Sequence, residues 1–288
     1  MISNLWKPIE GYIGKLNSKR SMPAVHHYTN VRGALGILES GSVWFTERAH
    51  LNDPSEISHG IAIATAILRE QGRKDDATRV DGTAHDVFRD FRFFSASFSF
   101  EGDDLSQWRA YADDGKGVAL SFKASVFNNP KAYIDGFVPD NPTVLVCPMS
   151  YDSDELRSVI ASIIGAWDGN NVGELCDHVF MISSMFKNDC WKPENEYRFF
   201  VHGNRNSVLK SSCHRSRERN GEIVSYLDIP IPNWTSADDF PICRIRLGPA
   251  APPDLNDQFD DFLSSRSVPI PRDAISRSSL PYSSLRRI

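Results

Sequence analysis

The side chains able to do chemistry fall in a few short stretches. Near the start, His26-His27-Tyr28-Thr29 sets two imidazoles and two hydroxyls on what reads as one strand. A neutral imidazole beside a hydroxyl can hydrogen-bond the diol of a ribose. Strand neighbours face opposite sides, so the plainer alternative is one histidine in the core and one in solvent. Far downstream, Glu194-Asn195-Glu196-Tyr197-Arg198 places two carboxylates on one side of an extended segment, about 7 Å apart. Such a pair can exchange protons or steady a developing cation. Arg198, on the same face as Glu196, can instead neutralise it. A glutamate and an arginine entering a central strand are costly unless something uses them.

Gln107-Trp108-Arg109-Ala110-Tyr111 brings Trp108 and Tyr111 side by side on a helix. Such pairs usually pack cores, and a flat aromatic beside a cleft can also stack on nicotinamide or a base. Ser95, Ser97 and Ser99 alternate with Ala96 and Phe98, so three hydroxyls share one face of a strand. No Gly-x-Ser-x-Gly elbow surrounds Ser97, which argues against a serine nucleophile. Asp53, Glu56 and His59 are spaced by three and could share a helical face toward a divalent ion. That spacing is common by chance and Asp53 precedes the helix, so no metal is expected. Residues 203–219 hold Arg205, Lys210, Arg215, Arg217 and Arg219 against one acid, Glu218. This reads as a solvated loop or as a flap that contacts phosphates.

These groups need elements to hold them. Residues 1–20 suggest a lead helix anchored by Trp6, Ile9, Tyr12 and Ile13. Residues 25–29 are β-branched and aromatic, hence a strand. Thr29 or Asn30 caps a helix carrying Val31, Leu35 and Leu38 on one face, and Gly41 ends it. Residues 51–56 form a turn, with Asp53 or Ser55 capping the next helix as far as Leu68. Residues 72–82 read as charged and exposed. Strands follow at 94–100, 117–122, 144–147, 196–201, 223–229 and 243–247, with helices near 106–112, 154–166, 176–186 and 255–263. No repeat and no Pro-, Gly- or Ser-rich linker divides the chain. The expectation is a single α+β domain over 1–288, with a split mixed or antiparallel sheet flanked by helices and a basic surface insertion at 203–220.

The bulk composition sets bounds. Of 288 residues, 41% are hydrophobic and 11% aromatic, enough for a substantial core. A net charge of −5 and a pI near 5.9 argue against a chain whose whole surface wraps nucleic acid, while leaving room for a local basic patch. The 5 cysteines include no Cys-x-x-Cys pair, which suits reduced thiols in a cytoplasmic protein. No signal-peptide layout and no apolar run of bilayer length stands out, so no membrane association is expected.

As a set, these motifs resemble a bacterial and phage family known only as a domain of unknown function. The resemblance rests on His27-Tyr28-Thr29, Ile37 with Gly41, Leu51-Asn52-Asp53-Pro54 with Glu56, Trp108 with Tyr111-Ala112-Asp113, Glu194 with Glu196 and Arg198, Leu247-Gly248-Pro249, and Pro281-Tyr282. It spans about residues 22–286. More distantly, the opening His-x-Thr, helix and glycine resemble ADP-ribosyltransferase folds. That resemblance implies a split sheet, NAD as substrate, and transfer of ADP-ribose to an unknown acceptor, nucleic acid or protein, in a defence or toxin setting such as phage defence. It assigns His27 to a ribose, Tyr111 (or Trp108) to nicotinamide, and Glu196 to the nicotinamide ribose, with Glu194 able to mimic the Glu-x-Glu of another branch. Thr29 and Arg48 would flank the dinucleotide, and Ser97 would lie beside it. The alternatives are a catalytically silent nucleotide- or nucleic-acid-binding sensor, or a hydrolase or phosphotransferase acting without NAD.

Overall fold

Among the described residues, ten strands and ten α-helices alternate irregularly. The strands are β1 (Ala24–Thr29), β2 (Ser42–Glu47), β3 (Phe91–Ser99), β4 (Val118–Lys123), β5 (Thr143–Pro148), β6 (Glu196–Asn204), β7 (His214–Arg219), β8 (Glu222–Pro230), β9 (Ile242–Leu247) and β10 (Ile275–Arg277). The helices are α1 (Trp6–Ser18), α2 (Val31–Ser40), α3 (Glu56–Glu70), α4 (Lys74–Asp90), α5 (Leu105–Tyr111), α6 (Pro130–Ile134), α7 (Ser153–Ala166), α8 (Val172–Ser183), α9 (Arg205–Leu209) and α10 (Leu255–Arg266). The structure, a computed structural model, describes residues 4–18, 22–50, 56–140 and 142–282. The turn expected at 51–56, its caps Asp53 and Ser55, and the Asp53, Glu56 and His59 constellation fall outside the described residues in whole or in part.

The architecture is α+β, with one mixed, open sheet and flanking helices. All strand pairs are antiparallel except β9 with β10. The sheet is two half-sheets meeting at a seam. One half runs β10-β9-β4-β1 and the other β7-β8-β2-β3-β6-β5. β3 pairs along its full length with β6. Its other edge is shared: Phe94 and Ser95 pair with β2, while Ser99 pairs with His26 of β1. That single residue pair joins the halves, and residues 96–98 of β3 face the gap between β1 and β2.

Alternation along the strands divides the two faces. Phe94, Ala96 and Phe98 of β3 join Phe199 and Val201 of β6 and Val25 of β1 in one core, covered by α2 and α10. Phe93 and Phe200, one residue out of phase, join a second core under α1, α3, α4, α7 and α8. A small third cluster, Tyr28, Trp108, Ala112 and Ala119, seats α5 on β1 and β4. Between the helical layer and α5, the serine-bearing face of β3 exposes Ser97, while Ser95 and Ser99 are buried.

Local chemistry accounts for the frame. Asn30 caps α2 by accepting from Gly33 N at 2.7 Å. Gly41 ends α2 at φ 64° with its N–H donating to Ile37 O, a left-handed geometry that favours glycine. α1 docks through Ile9, Tyr12 and Leu16, and Tyr12 Oη donates to Glu155 at 2.7 Å. No helix among the described residues is long and apolar enough to cross a membrane.

Two expectations need correction. Residues 72–82 are not merely an exposed charged stretch: most lie in α4, where Ala77, Val80, Ala84 and Val87 are buried. Those positions recur at helical spacing, but the surrounding charges mask the stripe. The stretch at 203–220 is not a loop either. It holds the end of β6, the short α9, and β7, which pairs with β8 over six positions from His214–Leu227 to Arg219–Glu222. An edge strand with a solvent-facing side lacks the apolar alternation that announces a strand.

Candidate functional site at the sheet seam

A cavity of about 270 Å³ sits over the seam. β1 contributes His26, His27 and Tyr28, and β3 contributes Ser95 to Ser99. β2 and β7 add Trp44, Thr46 and Arg219 on one flank. α5 adds Gln107 and Tyr111 on the other, with Lys187, Glu194, Glu196 and Arg198 behind them. The sequence separations are large; the sheet closes them.

His27 occupies the gap itself. Its Nδ1 lies 3.0 Å from the backbone oxygen of Ser97. A carbonyl only accepts, so Nδ1 carries the proton and Nε2 is left as an acceptor. Burial lowers the His27 pKa, and the bond to Ser97 only partly offsets it, so the ring is held neutral. Its neighbour behaves differently. His26 lies on the opposite face, with Nδ1 2.9 Å from Ser121 Oγ. Burial first, and then Arg246 and Arg244, lower its pKa to about 4. Gly102 makes room for that ring: a Cβ there would stand 2.7 Å from His26 Cε1.

The carboxylates form a clamp. Glu196 accepts from Arg198 Nε at 2.7 Å and from Arg198 Nη2 at 3.1 Å. Lys187 Nζ lies 2.8 Å from Glu196 and 2.6 Å from Glu194. Burial alone would raise the pKa of Glu196, but the charges of Arg198 and Lys187, and their hydrogen bonds, hold it at about 2. Lys187 is likewise held protonated: its burial is outweighed by Glu196 and Glu194. Tyr111 Oη donates to Glu194, and Tyr151 Oη accepts from Glu196 N at 3.0 Å. Two cations and two anions balance, as burial requires.

Of the residues singled out from sequence, His27, Ser97, Tyr111, Glu194 and Glu196 all line this cavity. Thr29, Arg48 and Trp108 do not. Trp108 is fully buried, donates from Nε1 to Asp103 at 2.8 Å and meets Tyr28 edge-on at 4.8 Å; it is a packing residue. The Thr29 hydroxyl lies against Gly33 at the start of α2. The Arg48 guanidinium covers the rings of Phe88 and Phe180 at 5.2 and 5.3 Å. Glu194 does not share an extended run with Glu196: it ends a 3-10 turn (Asp189–Glu194), and Asn195, left-handed at φ 45°, separates it from β6. Pro193 and Asn195 favour this turn, and Lys187 draws both carboxylates together despite it.

Two lining groups, Lys187 and Trp44, were not singled out from sequence, and Ser95 was, as one of the serine row. Lys187 stands in an unremarkable Phe-Lys-Asn run, and only its buried position (7% exposed side chain) makes it a partner of both glutamates. Trp44 is exposed on a strand whose neighbours are core. Ser95 Oγ is buried without a hydrogen-bond partner, a polar group opening on the cavity.

The cavity can take up hydroxyls through His27 Nε2 and the serine row, and it presents a neutral clamp flanked by a cationic rim. Residues 107–199 match the family model described as a protein of unknown function (DUF2971). No curated protein and no solved structure matches the chain. The matched span begins in α5 and ends in β6, so it takes in Tyr111, Lys187, Glu194, Glu196 and Arg198 on the clamp side of the cavity and leaves His27 outside.

Proposed function

We propose that the seam cavity binds NAD and supports transfer of its ADP-ribose to an acceptor. The observation that carries this reading is the gathering of His27, Tyr111, Glu194 and Glu196, remote in sequence, around one cavity at a split in the sheet. His27 Nε2, neutral and free to accept, suits a ribose hydroxyl. In the reaction the bond between nicotinamide and ribose C1′ breaks, and its electron pair leaves with nicotinamide. The acceptor nucleophile bonds to C1′ and gives up its proton. Positive charge develops on the ribose meanwhile, and a fixed carboxylate stabilises that state more than the ground state. The Tyr111 phenol orients Glu194 toward the same space.

A second reading is favoured by one observation: Glu196 is already engaged by Arg198 and Lys187, so little of its charge remains for a reacting centre. On that reading the chain binds a nucleotide without turning it over, as a sensor.

Calorimetric titration of the full chain with NAD, followed by mass spectrometry of DNA, RNA and protein incubated with NAD, tests both. The transferase reading expects NAD binding, nicotinamide release and an added ADP-ribose mass, with Tyr111→Phe and Glu194→Gln lowering the rate by tenfold or more. Binding without nicotinamide release favours the sensor. Absence of NAD binding overturns the transferase.

A further inference from the structure

The strand β7 carries an arginine row that the clamp does not use. Arg215, Arg217 and Arg219 alternate along it, so all three project to one side, about 7 Å apart. That side is shared with Tyr226 and Trp44: Arg215 pairs in register with Tyr226, and Tyr226 with Thr46, two residues from Trp44 on the same face. The Arg217 guanidinium lies over the Trp44 ring at 4.6 Å and over Tyr226 at 5.6 Å, and the two rings are 4.7 Å apart. Trp44 is nevertheless 45% exposed. Burial, and then Arg219, lower the Arg217 pKa, and its Nε has no hydrogen-bond partner.

Among the described residues, no acid pairs with the row. Arg215 Nη1 donates to the backbone oxygens of Ser212 and His214, each at 2.8 Å. Glu222 lies opposite Arg219 in register, but its carboxylate sits 3.7 Å from His50 Nδ1. Glu218 belongs to the other face of β7. By contrast, Arg69, Arg89, Arg157, Arg266 and Arg272 each lie within ion-pair distance of an acid, while Arg32, Arg205 and Arg244 are exposed single arginines outside any such row. Trp44 and Arg219 also line the seam cavity, so the row runs from the edge of the sheet to the cavity mouth.

We propose that the β7 face, with the Trp44 ring, is a docking surface for single-stranded nucleic acid. A repeating row of unpaired cations complements a repeating row of phosphates, and an exposed indole offers a stacking platform for an unpaired base. An acidic protein would answer the arginines but leave Trp44 without a planar partner. The strand would be led along β7 toward the cavity, which makes it the acceptor class on the transferase reading; that role rests on NAD binding, whereas docking does not.

The test is fluorescence anisotropy of a fluorescein-labelled mixed-sequence single strand, as DNA and as RNA, with the full chain and no NAD. The expected result is binding whose log affinity falls linearly with log salt. Arg215→Gln with Arg217→Gln should weaken it tenfold or more at low salt and reduce the slope by about 1.4, two phosphate contacts at about 0.7 each. Trp44→Ala should weaken it at least about fivefold. Arg215→Gln alone, at an exposed position, carries the test if the double variant fails to fold. The proposal is overturned if the single strand does not bind, if the arginine variants bind as the unaltered chain does, if a duplex binds as tightly as the single strand, or if polyglutamate displaces the oligonucleotide at equal charge. NAD titration of the Arg215→Gln variant reports on the transferase reading separately, since Arg215 does not line the cavity.

Discussion

The clamp behind the cavity and the arginine row on β7 are both charged, and they are built on opposite principles. In the clamp, Arg198 is 1% exposed and Glu196 is 3% exposed. Every charge there has an opposite partner within hydrogen-bond distance. On β7, three like charges stand beside one another and one is stacked on an aromatic ring rather than an acid. Water accounts for the difference. A buried charge must be neutralised where it lies, whereas an exposed one is solvated and can wait for a ligand. The clamp is therefore read as geometry, holding Glu194 and Tyr111 in place, and the row as an open contact.

The largest break in that comparison is Glu196→Ala. It strands the buried Arg198 guanidinium, while Lys187 keeps Glu194, and it should cost about 3–5 kcal/mol in urea unfolding. Replacing the ion pair as a unit, with Glu196→Leu and Arg198→Met, should recover most of that loss, because neither charge is then left unpaired. A double variant no more stable than the single one would show that the clamp does more than cancel charge.

Acid should separate the regions next. The folded pKa of Glu196 is held at about 2, below its unfolded value of about 4.3. Its contribution, roughly 3 kcal/mol, is complete above about pH 4.5 and is lost as pH falls through about 2. His26, and His202 buried in β6, act earlier. Each is kept neutral down to about pH 4, while the unfolded chain takes up protons near pH 6.5. They erode stability as pH drops from about 6.5 toward 4. Arginines exchange no protons in that range, so oligonucleotide binding by β7 should follow salt and not pH while the fold persists. Denaturation midpoints and anisotropy measured at pH 7, 5.5 and 4.5 check both halves.

The smallest effect sharpens the contrast from the other side. Arg215→Gln, at an exposed position with only backbone partners, should change unfolding stability by less than about 0.5 kcal/mol. A larger loss would mean that the row holds the hairpin together.

Much of the frame was legible beforehand because it rests on local chemistry. The β-branched and aromatic run at β1, the Asn30 cap, the Gly41 stop and the serine alternation of β3 all act over a few residues, and each appears where its chemistry puts it. α4 and β7 were not legible: their burial patterns depend on which face a neighbour covers, and charged residues hid both. The choice between Trp108 and Tyr111 was likewise open. Three residues apart on a short helix, they part company only because β1 and β4 bury one and leave the other beside Glu194.

The chain by itself determined which side chains could meet: a histidine pair on a strand, an aromatic pair on a helix, two glutamates near an arginine. Tertiary structure decided which of them do, and in what state. It opened a seam that leaves Ser97 O free to fix the His27 tautomer, and it brought Lys187 to both glutamates. It also set Arg217 over Trp44 instead of beside an acid. Covalent order and local propensity reach across a turn or two. Ionisation and partnership are set by burial, and burial exists only once distant segments have packed.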